Sequence, residues 1–101
     1  MDGHVSTASA VTLEAAGELF RALAAPLRLA IVVELATGPR SVHELVEALG
    51  ASQPLISQHL RILRGARLVT AERRQRERVY TMADKHVGHI VLDAIKHVEE
   101  D

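Results

Sequence analysis

Two groups of side chains in this sequence could do chemistry, and both lie in its second half. Seven arginines and two glutamates between positions 61 and 78 give a local charge of +5. A segment this basic either binds an anionic partner or forms a solvated face. From position 84 onward, three histidines and five acidic residues offer nitrogen and oxygen donors to a metal ion.

The spacing of two of these histidines restricts how they could share a metal. The chain has no cysteine, so any metal must rest on His, Asp or Glu. His86 and His97 are eleven positions apart, which on one helix places them on the same face but roughly 16 Å apart along the axis. Two such helices packed antiparallel about a two-fold axis would bring His86 of one beside His97 and Glu100 of the other. The alternative is that these are polar residues of a dimer helix and that Asp84 is only a cap.

The elements around the basic segment have the pattern of a helix-turn-helix. Ser41 and Glu44 predict a capping box for one short helix, which Gly50 ends. Ser52 caps a second helix that runs to a break near Gly65. Two short helices joined by about three residues that include glycine are typical of this motif. The predicted apolar sides are Val42, Leu45 and Leu49 in the first helix and Leu55, Ile56, Leu60 and Leu63 in the second.

Two helices precede this motif. Thr12 is the predicted cap of the first, and residues 1–11 are predicted to be a flexible tail. Pro26 ends that helix and opens the second, which runs to about Ala36. The residues predicted to face inward are Leu13, Ala16, Phe20 and Leu23 in the first helix and Leu27, Ile31 and Leu35 in the second.

A hairpin and a final helix follow the motif. Runs of β-prone residues at 68–71 and 78–81 flank a polar stretch and predict a hairpin with a basic tip. Asp84 caps a helix to about Glu100 whose apolar face needs a partner surface. The predicted fold class is therefore mainly α with a small β-hairpin, a winged helix-turn-helix over residues 12–101 that dimerises through its terminal helices. The apolar face of the last helix consists of Val87, Ile90, Val91, Ala94, Ile95 and Val98.

The second helix of the motif, the candidate recognition helix, and the hairpin, the candidate wing, together predict a DNA-binding surface. One α-helix fits the major groove of B-DNA, where side chains with hydrogen-bond donors and acceptors read base edges. Arginines on a hairpin suit phosphates or the narrow minor groove. The predicted DNA-binding residues are Gln53, Ser57, Gln58, Arg61 and Arg64 on the helix and Arg73, Arg74, Arg76 and Arg78 on the hairpin.

The composition limits the class of protein. The 101 residues are 48% hydrophobic with two aromatics, Phe20 and Tyr80, which favours one helix-rich domain. No apolar run approaches the roughly 20 residues of a membrane-spanning helix, and the start of the chain lacks an export signal, so we expect a cytoplasmic protein without a membrane partner. No second acid is placed as the general base of a zinc hydrolase, and so short a chain leaves no room for a deep cleft. We therefore expect neither enzyme activity nor a small organic substrate.

The recognition helix and wing resemble those of a known family. The run QPLISQHLRIL at 53–63, followed by Leu68-Val69 and Arg78-Val79-Tyr80, is similar to the ArsR/SmtB family of metal-responsive repressors, and the likeness covers about residues 12–101. Residues 20–28 resemble that family's joint between its first two helices. The resemblance implies a homodimer that binds a palindromic operator as a repressor and leaves it when an inducer ion binds. His59 belongs to the family's shared pattern, which implies a structural or backbone-contacting role and not metal ligation.

The resemblance also implies where a metal binds. One family site uses two cysteines in the first helix of the motif, where this chain has Ser-Val-His at 41–43, so that site is missing. The other family site lies on the last helix, as aspartate-x-histidine and, after ten intervening residues, histidine-x-x followed by an acid or a histidine. The residues that match it are Asp84, His86, His97 and Glu100. The implied ion is zinc, whereas an additional ligand such as His4 would favour nickel or cobalt. His43 and His89 have no assigned role.

The family's route from metal to DNA is a hydrogen bond from the second ligand histidine to a backbone carbonyl just after the recognition helix. In this chain the resemblance implies a hydrogen bond from the side chain of His97 to the backbone carbonyl of Arg67. A metal-independent regulator of the same fold is the rival hypothesis.

Overall fold

The structure, a computed structural model, describes residues 8–100, and its first two helices meet at a tight joint. Helix α1 spans Ala10–Leu23 and helix α2 spans Pro26–Ala36. The prediction that Thr12 caps α1 is wrong, because Ser9 is the cap and its Oγ accepts a hydrogen bond from the backbone N of Thr12 at 3.1 Å. Serine and threonine are both favoured at this position. The helix therefore begins two residues before the predicted domain boundary.

The helix-turn-helix forms as predicted. Helix α3 spans Val42–Leu49 and helix α4 spans Gln53–Gly65. The backbone N of Glu44 donates to Ser41 Oγ at 3.1 Å and that of Ser41 donates to Glu44 Oε1 at 2.8 Å, which completes the capping box. Gly50 ends α3 with a φ of 66°, a left-handed conformation that glycine adopts at no steric cost. The motif thus depends on interactions between residues close in sequence.

The sheet has three antiparallel strands, one more than predicted. Strands β1 (Arg40–Ser41), β2 (Val69–Arg74) and β3 (Glu77–Met82) lie in the order β1-β3-β2. A two-residue strand shows no alternation of apolar and polar residues, so periodicity could not reveal β1. The hairpin strands are longer than predicted because the turn needs only Gln75 and Arg76, with Gln75 at a φ of 56°.

Helix α5, Lys85–Glu99, packs against α2 and closes the core. Val87 and Val91 are buried. At Gly88 the two helices approach so closely that a side-chain Cβ in this position would lie 3.4 Å from the Cβ of Ala36. The largest fully buried side chains elsewhere in the core are Ile31, Val32, Leu45, Ile56, Leu60 and Leu63. Among the described helices, none is both long and apolar enough to cross a membrane.

Three residues predicted to face inward are exposed in the single chain. Leu13 and Phe20 of α1 are each 56% exposed, and Leu55 of α4 is 40% exposed. Of the side predicted for α1, Leu23 is buried, and the helix meets the core there together with Leu19 and Ala22. Helical periodicity shows which residues share a side, but the neighbouring elements decide how wide the buried sector is.

Candidate nucleic-acid interface and metal centre

Helix α4 separates a buried apolar side from an exposed polar side. Ile56, Leu60 and Leu63 are fully buried, and they hold the helix against the domain. The cap of the helix is Ser52, whose Oγ accepts from the backbone N of Leu55 at 3.3 Å, as the sequence predicted. Of the residues predicted to read bases, four are exposed and Ser57 is half-buried; the exposed ones are Gln53, Gln58, Arg61 and Arg64.

The hairpin of β2 and β3 presents a concentration of positive charge. All four predicted wing arginines are exposed. Arg73 lies directly opposite Arg78 in the strand register, and like charges at opposed positions destabilise a sheet. Within residues 8–100, the wing arginine that forms an ion pair is Arg74, with Glu72 at 3.1 Å. An anion such as a phosphate would relieve this repulsion.

A cleft of about 270 Å³ joins the recognition helix to the wing. Its walls include Gln53 at the start of α4, His43 in the first turn of α3, and Arg73, Arg76 and Arg78 of the hairpin. The structure therefore brings together base-reading and phosphate-binding candidates that the sequence predicted on separate elements. The sequence carries no signal for His43, because its place in the cleft depends on where the wing folds.

The four predicted metal ligands lie at the two ends of α5. Asp84 caps the helix, and its Oδ1 accepts from the backbone N of His86 at 2.8 Å. His97 lies in the last turn and Glu100 follows the helix directly. All four side chains are exposed. Within the described part of one chain, no three His, Asp or Glu side chains converge on a point where a metal could bind. The structure thus separates the ligands into two pairs.

Each pair fits half of a zinc-type donor set. Zinc in proteins commonly takes four ligands, and imidazole nitrogen and carboxylate oxygen are among its usual donors. Asp84 uses Oδ1 for the helix cap, and its carboxylate has a second oxygen that can bind a metal. His97 and Glu100 are three residues apart and share a side of the chain's last turn. Each pair supplies only two donors, so a four-ligand site would need donors from outside that pair.

An exposed apolar strip, Ile90, Ala94 and Val98, runs along α5 from the first pair to the second. Ile90 is 37% exposed and Val98 is 70% exposed. These residues follow His86 at steps of four, so all of them lie along one side of α5. Ala94 and Val98 also border a groove of about 280 Å³ with Leu29 of α2. The candidate ligands therefore flank an apolar surface that no part of the described chain covers.

The remaining predicted residues are placed as follows. Arg67 comes just after α4 in a left-handed conformation with a φ of 64°, and its backbone N donates to the carbonyl of Arg64 at 2.9 Å. Within residues 8–100 of one chain, no hydrogen bond joins Arg67 to His97, so the coupling contact stays a prediction. His89 is exposed beside a cleft near Asp84. His4 lies outside the described residues.

A helix-turn-helix followed by a basic two-stranded wing defines this molecule as a winged-helix DNA-binding protein. The chain belongs to the arsR family of bacterial regulatory proteins, whose family model matches residues 25–71. The predicted winged helix-turn-helix fold, mainly α with a small hairpin, and the resemblance to ArsR/SmtB repressors are both confirmed. Since this family is one of regulatory proteins, the prediction that the chain is not an enzyme is confirmed as well.

Individual relatives agree with this assignment. The HTH-type transcriptional repressor SmtB of Mycobacterium tuberculosis (strain ATCC 25618 / H37Rv) is 61% identical over 89 residues, which cover 88% of this chain and 66% of that protein. The chain thus spans just under two thirds of that relative's length. HlyU from Vibrio cholerae N16961 superposes with a TM-score of 0.80 at 28% identity, covering 92% of this chain and all of that one.

A second solved structure is that of a homodimer. The homodimeric winged helix-turn-helix DNA-binding domain of Mb0332 from Mycobacterium bovis superposes with a TM-score of 0.78 at 28% identity, covering 95% of each chain.

Proposed function

We propose that the chain is a homodimeric transcriptional repressor that binds operator DNA without metal and releases it when zinc binds between the last helices of its two subunits. The observation that carries this proposal is the placement of two incomplete ligand pairs at opposite ends of α5, with the exposed apolar strip running from one to the other. Antiparallel pairing of two such strips would bury apolar surface and complete two equivalent sites at once.

Each site would take Asp84 and His86 from one subunit, together with the partner subunit's His97 and Glu100. Two nitrogens and two carboxylates suit tetrahedral zinc. The ion would supply a cross-link between the two helices. A nickel or cobalt sensor, which would use more than four ligands, is the alternative within the same site.

The DNA contacts follow from the symmetry of the proposed dimer. A two-fold axis places two copies of α4 to enter successive major grooves of a palindromic operator. The exposed glutamines and arginines of α4 would then read base edges, while the wing arginines would contact phosphates or the minor groove. The opposed Arg73 and Arg78 support this role, since a bound anion would relieve their repulsion.

Metal can influence DNA binding only by favouring one arrangement of the dimer over another. We propose that a hydrogen bond from His97 to the carbonyl of Arg67 links the metal site to the DNA-reading head. Arg67 is held to the end of α4 through the carbonyl of Arg64. A pull on its backbone would therefore be transmitted to the recognition helix.

The direct test is DNA binding by the purified chain as zinc is added. The probe is a duplex that the metal-free protein selects from random-sequence DNA. Zinc is expected to weaken binding by about 5- to 150-fold, the usual range of coupling between two sites. Magnesium, which prefers oxygen ligands, serves as the control and should have no effect. If zinc and magnesium weaken DNA binding equally, or if zinc does not weaken it, the chain would instead be a metal-independent regulator.

Substitutions on α4 and on the wing should affect DNA binding differently. Arg61→Ala and Gln58→Ala are expected to weaken binding to the selected duplex by about 1–3 kcal/mol with little change on random-sequence DNA. Arg74→Ala or Arg76→Ala should weaken binding to both duplexes alike and lower the salt slope by about one. Titrations at several salt concentrations measure both quantities. Equal losses on the two duplexes for all four variants would contradict this division of roles.

The dimer is expected to persist without metal, because the apolar strip of α5 needs burial whether or not zinc is bound. Sedimentation of metal-stripped protein at micromolar concentration measures this. Ile90→Glu, on the strip, should shift the protein toward monomer. Leu92→Glu is the matched control, since Leu92 is similarly exposed, at 43%, but lies off the strip. If the metal-stripped wild-type protein sediments as a monomer, zinc would act by assembling the dimer and not by releasing it from DNA.

A further inference from the structure

Arg28 of α2 joins helices α1 and α4 through one guanidinium group. Its Nε donates to the carbonyl oxygen of Ala22 in the last turn of α1 at 2.6 Å, and its Nη1 lies 3.0 Å from Nδ1 of His59 in α4. Both contacts are partly buried. The last four carbonyls of a helix have no partner within it, and a cation there also interacts favourably with the helix dipole. Arg28 therefore connects the end of α1 to the middle of the recognition helix.

The donor groups of Arg28 determine which tautomer of His59 fits this contact. A guanidinium has five donors and no acceptor, so Nδ1 of His59 must accept the bond and the neutral ring carries its proton on Nε2. His59 is three residues from Ile56 and four from Leu63, both fully buried, so it lies on the inward side of α4. Arg28 thus contacts the recognition helix from the side opposite the exposed Arg61.

An open groove of about 710 Å³ lies between part of α1 and the last turns of α4, and it is lined by Leu19, Ala22, Ile62 and Ala66, among others. Packing across an open groove constrains the relative orientation of two helices only weakly. A directional hydrogen bond from a charged donor, in contrast, specifies both distance and orientation.

We propose that Arg28 is a positioning residue for DNA binding, which sets the orientation of the recognition helix relative to α1 by holding His59 close to the Ala22 carbonyl. The inference rests on the proposed function only in that α4 must meet DNA. It is independent of metal.

The test is metal-free binding of the full chain to the selected duplex. Arg28→Met keeps the length of the side chain but removes its donors, and His59→Phe keeps a ring but removes the acceptor. His59→Phe removes one hydrogen bond to a charged group and should weaken binding at least about tenfold. Arg28→Met also removes the donor to the Ala22 carbonyl, so it should lose at least as much. The double variant should lose little more than Arg28→Met alone, because that substitution already removes the contact with His59.

A conservative substitution at His59 shows whether DNA affinity depends on the hydrogen bond to Arg28 or only on the packing of the ring. His59→Asn places an amide oxygen near the position of Nδ1, so it should stay within about threefold of wild type. If Arg28→Met does not fold, the comparison of His59→Asn with His59→Phe tests the proposal by itself. Equal losses of DNA affinity in these two variants would contradict the proposal. Full affinity in Arg28→Met, or additive losses in the double variant, would also overturn it.

Two controls complete the design. Arg21→Met removes an exposed arginine whose ion pair with Glu18 is 3.4 Å long, and it should bind DNA as wild type does. Arg61→Ala separates the two hypotheses. If it loses affinity while Arg28→Met does not, only the positioning role fails. If Arg61→Ala binds both duplexes as wild type does, the assignment of α4 as the reading helix is itself wrong.

Discussion

Homodimers of His86→Ala and of His97→Ala are each expected to lose tight zinc binding at both sites while keeping their fold and their metal-free DNA binding. Each proposed site takes one of these histidines from each subunit, so either substitution damages both sites. Zinc stoichiometry against a competing chelator measures the loss. His89→Ala is the matched control, because His89 is exposed on the same helix and is not a proposed ligand. It should still bind two ions per dimer.

A mixed dimer of the two variants gives the sharper result. One of its sites lacks both histidines, whereas the other keeps Asp84 and His86 from one subunit and His97 and Glu100 from the other. It is therefore expected to bind one zinc ion tightly, where neither parent binds any. Co-expression with two different affinity tags yields this species. If all ligands came from one chain, every site would lack a histidine, and the absence of restored binding would refute the interface site.

Leu60→Ala is expected to lower the free energy of unfolding by about 2–5 kcal/mol, because it removes a large side chain from a closely packed core. Leu60 is fully buried on the inner side of α4. Denaturant unfolding at a fixed protein concentration measures the change, since the stability of a dimer depends on concentration.

Leu55→Ala makes the same chemical change on the same helix and is the matched control. Leu55 is 40% exposed, so the change should cost less than about 1 kcal/mol. The apolar pattern of the sequence places both leucines on one inward stripe and predicts similar losses. Similar losses would show that Leu55 is buried in the functional protein, whether by the domain or by a partner subunit.

Much of the architecture could be predicted from the sequence because it depends on neighbours along the chain. The capping box of Ser41 and Glu44, the end of α3 at Gly50, and the caps Ser52 and Asp84 all formed as predicted. Each involves residues within a few positions of one another, so the residue types alone carry the signal. The two proposed ligand pairs at the ends of α5 belong to the same category, since helical geometry alone separates them.

The tertiary structure decided what depends on residues far apart in the chain. Strand β1 exists because Arg40 lies beside Tyr80, and no local pattern in two residues records that. The cleft that joins α4 to the wing depends likewise on where the hairpin folds.

The contact between Arg28 and His59 has the same origin. These residues are 31 positions apart, and the sequence presents them only as one arginine in the second helix and one histidine in the recognition helix. Their hydrogen bond arises because packing of α2 against α4 brings a donor-only group to an imidazole nitrogen. Helical periodicity specifies the side on which each residue lies, but only the packed helices specify which residue it meets.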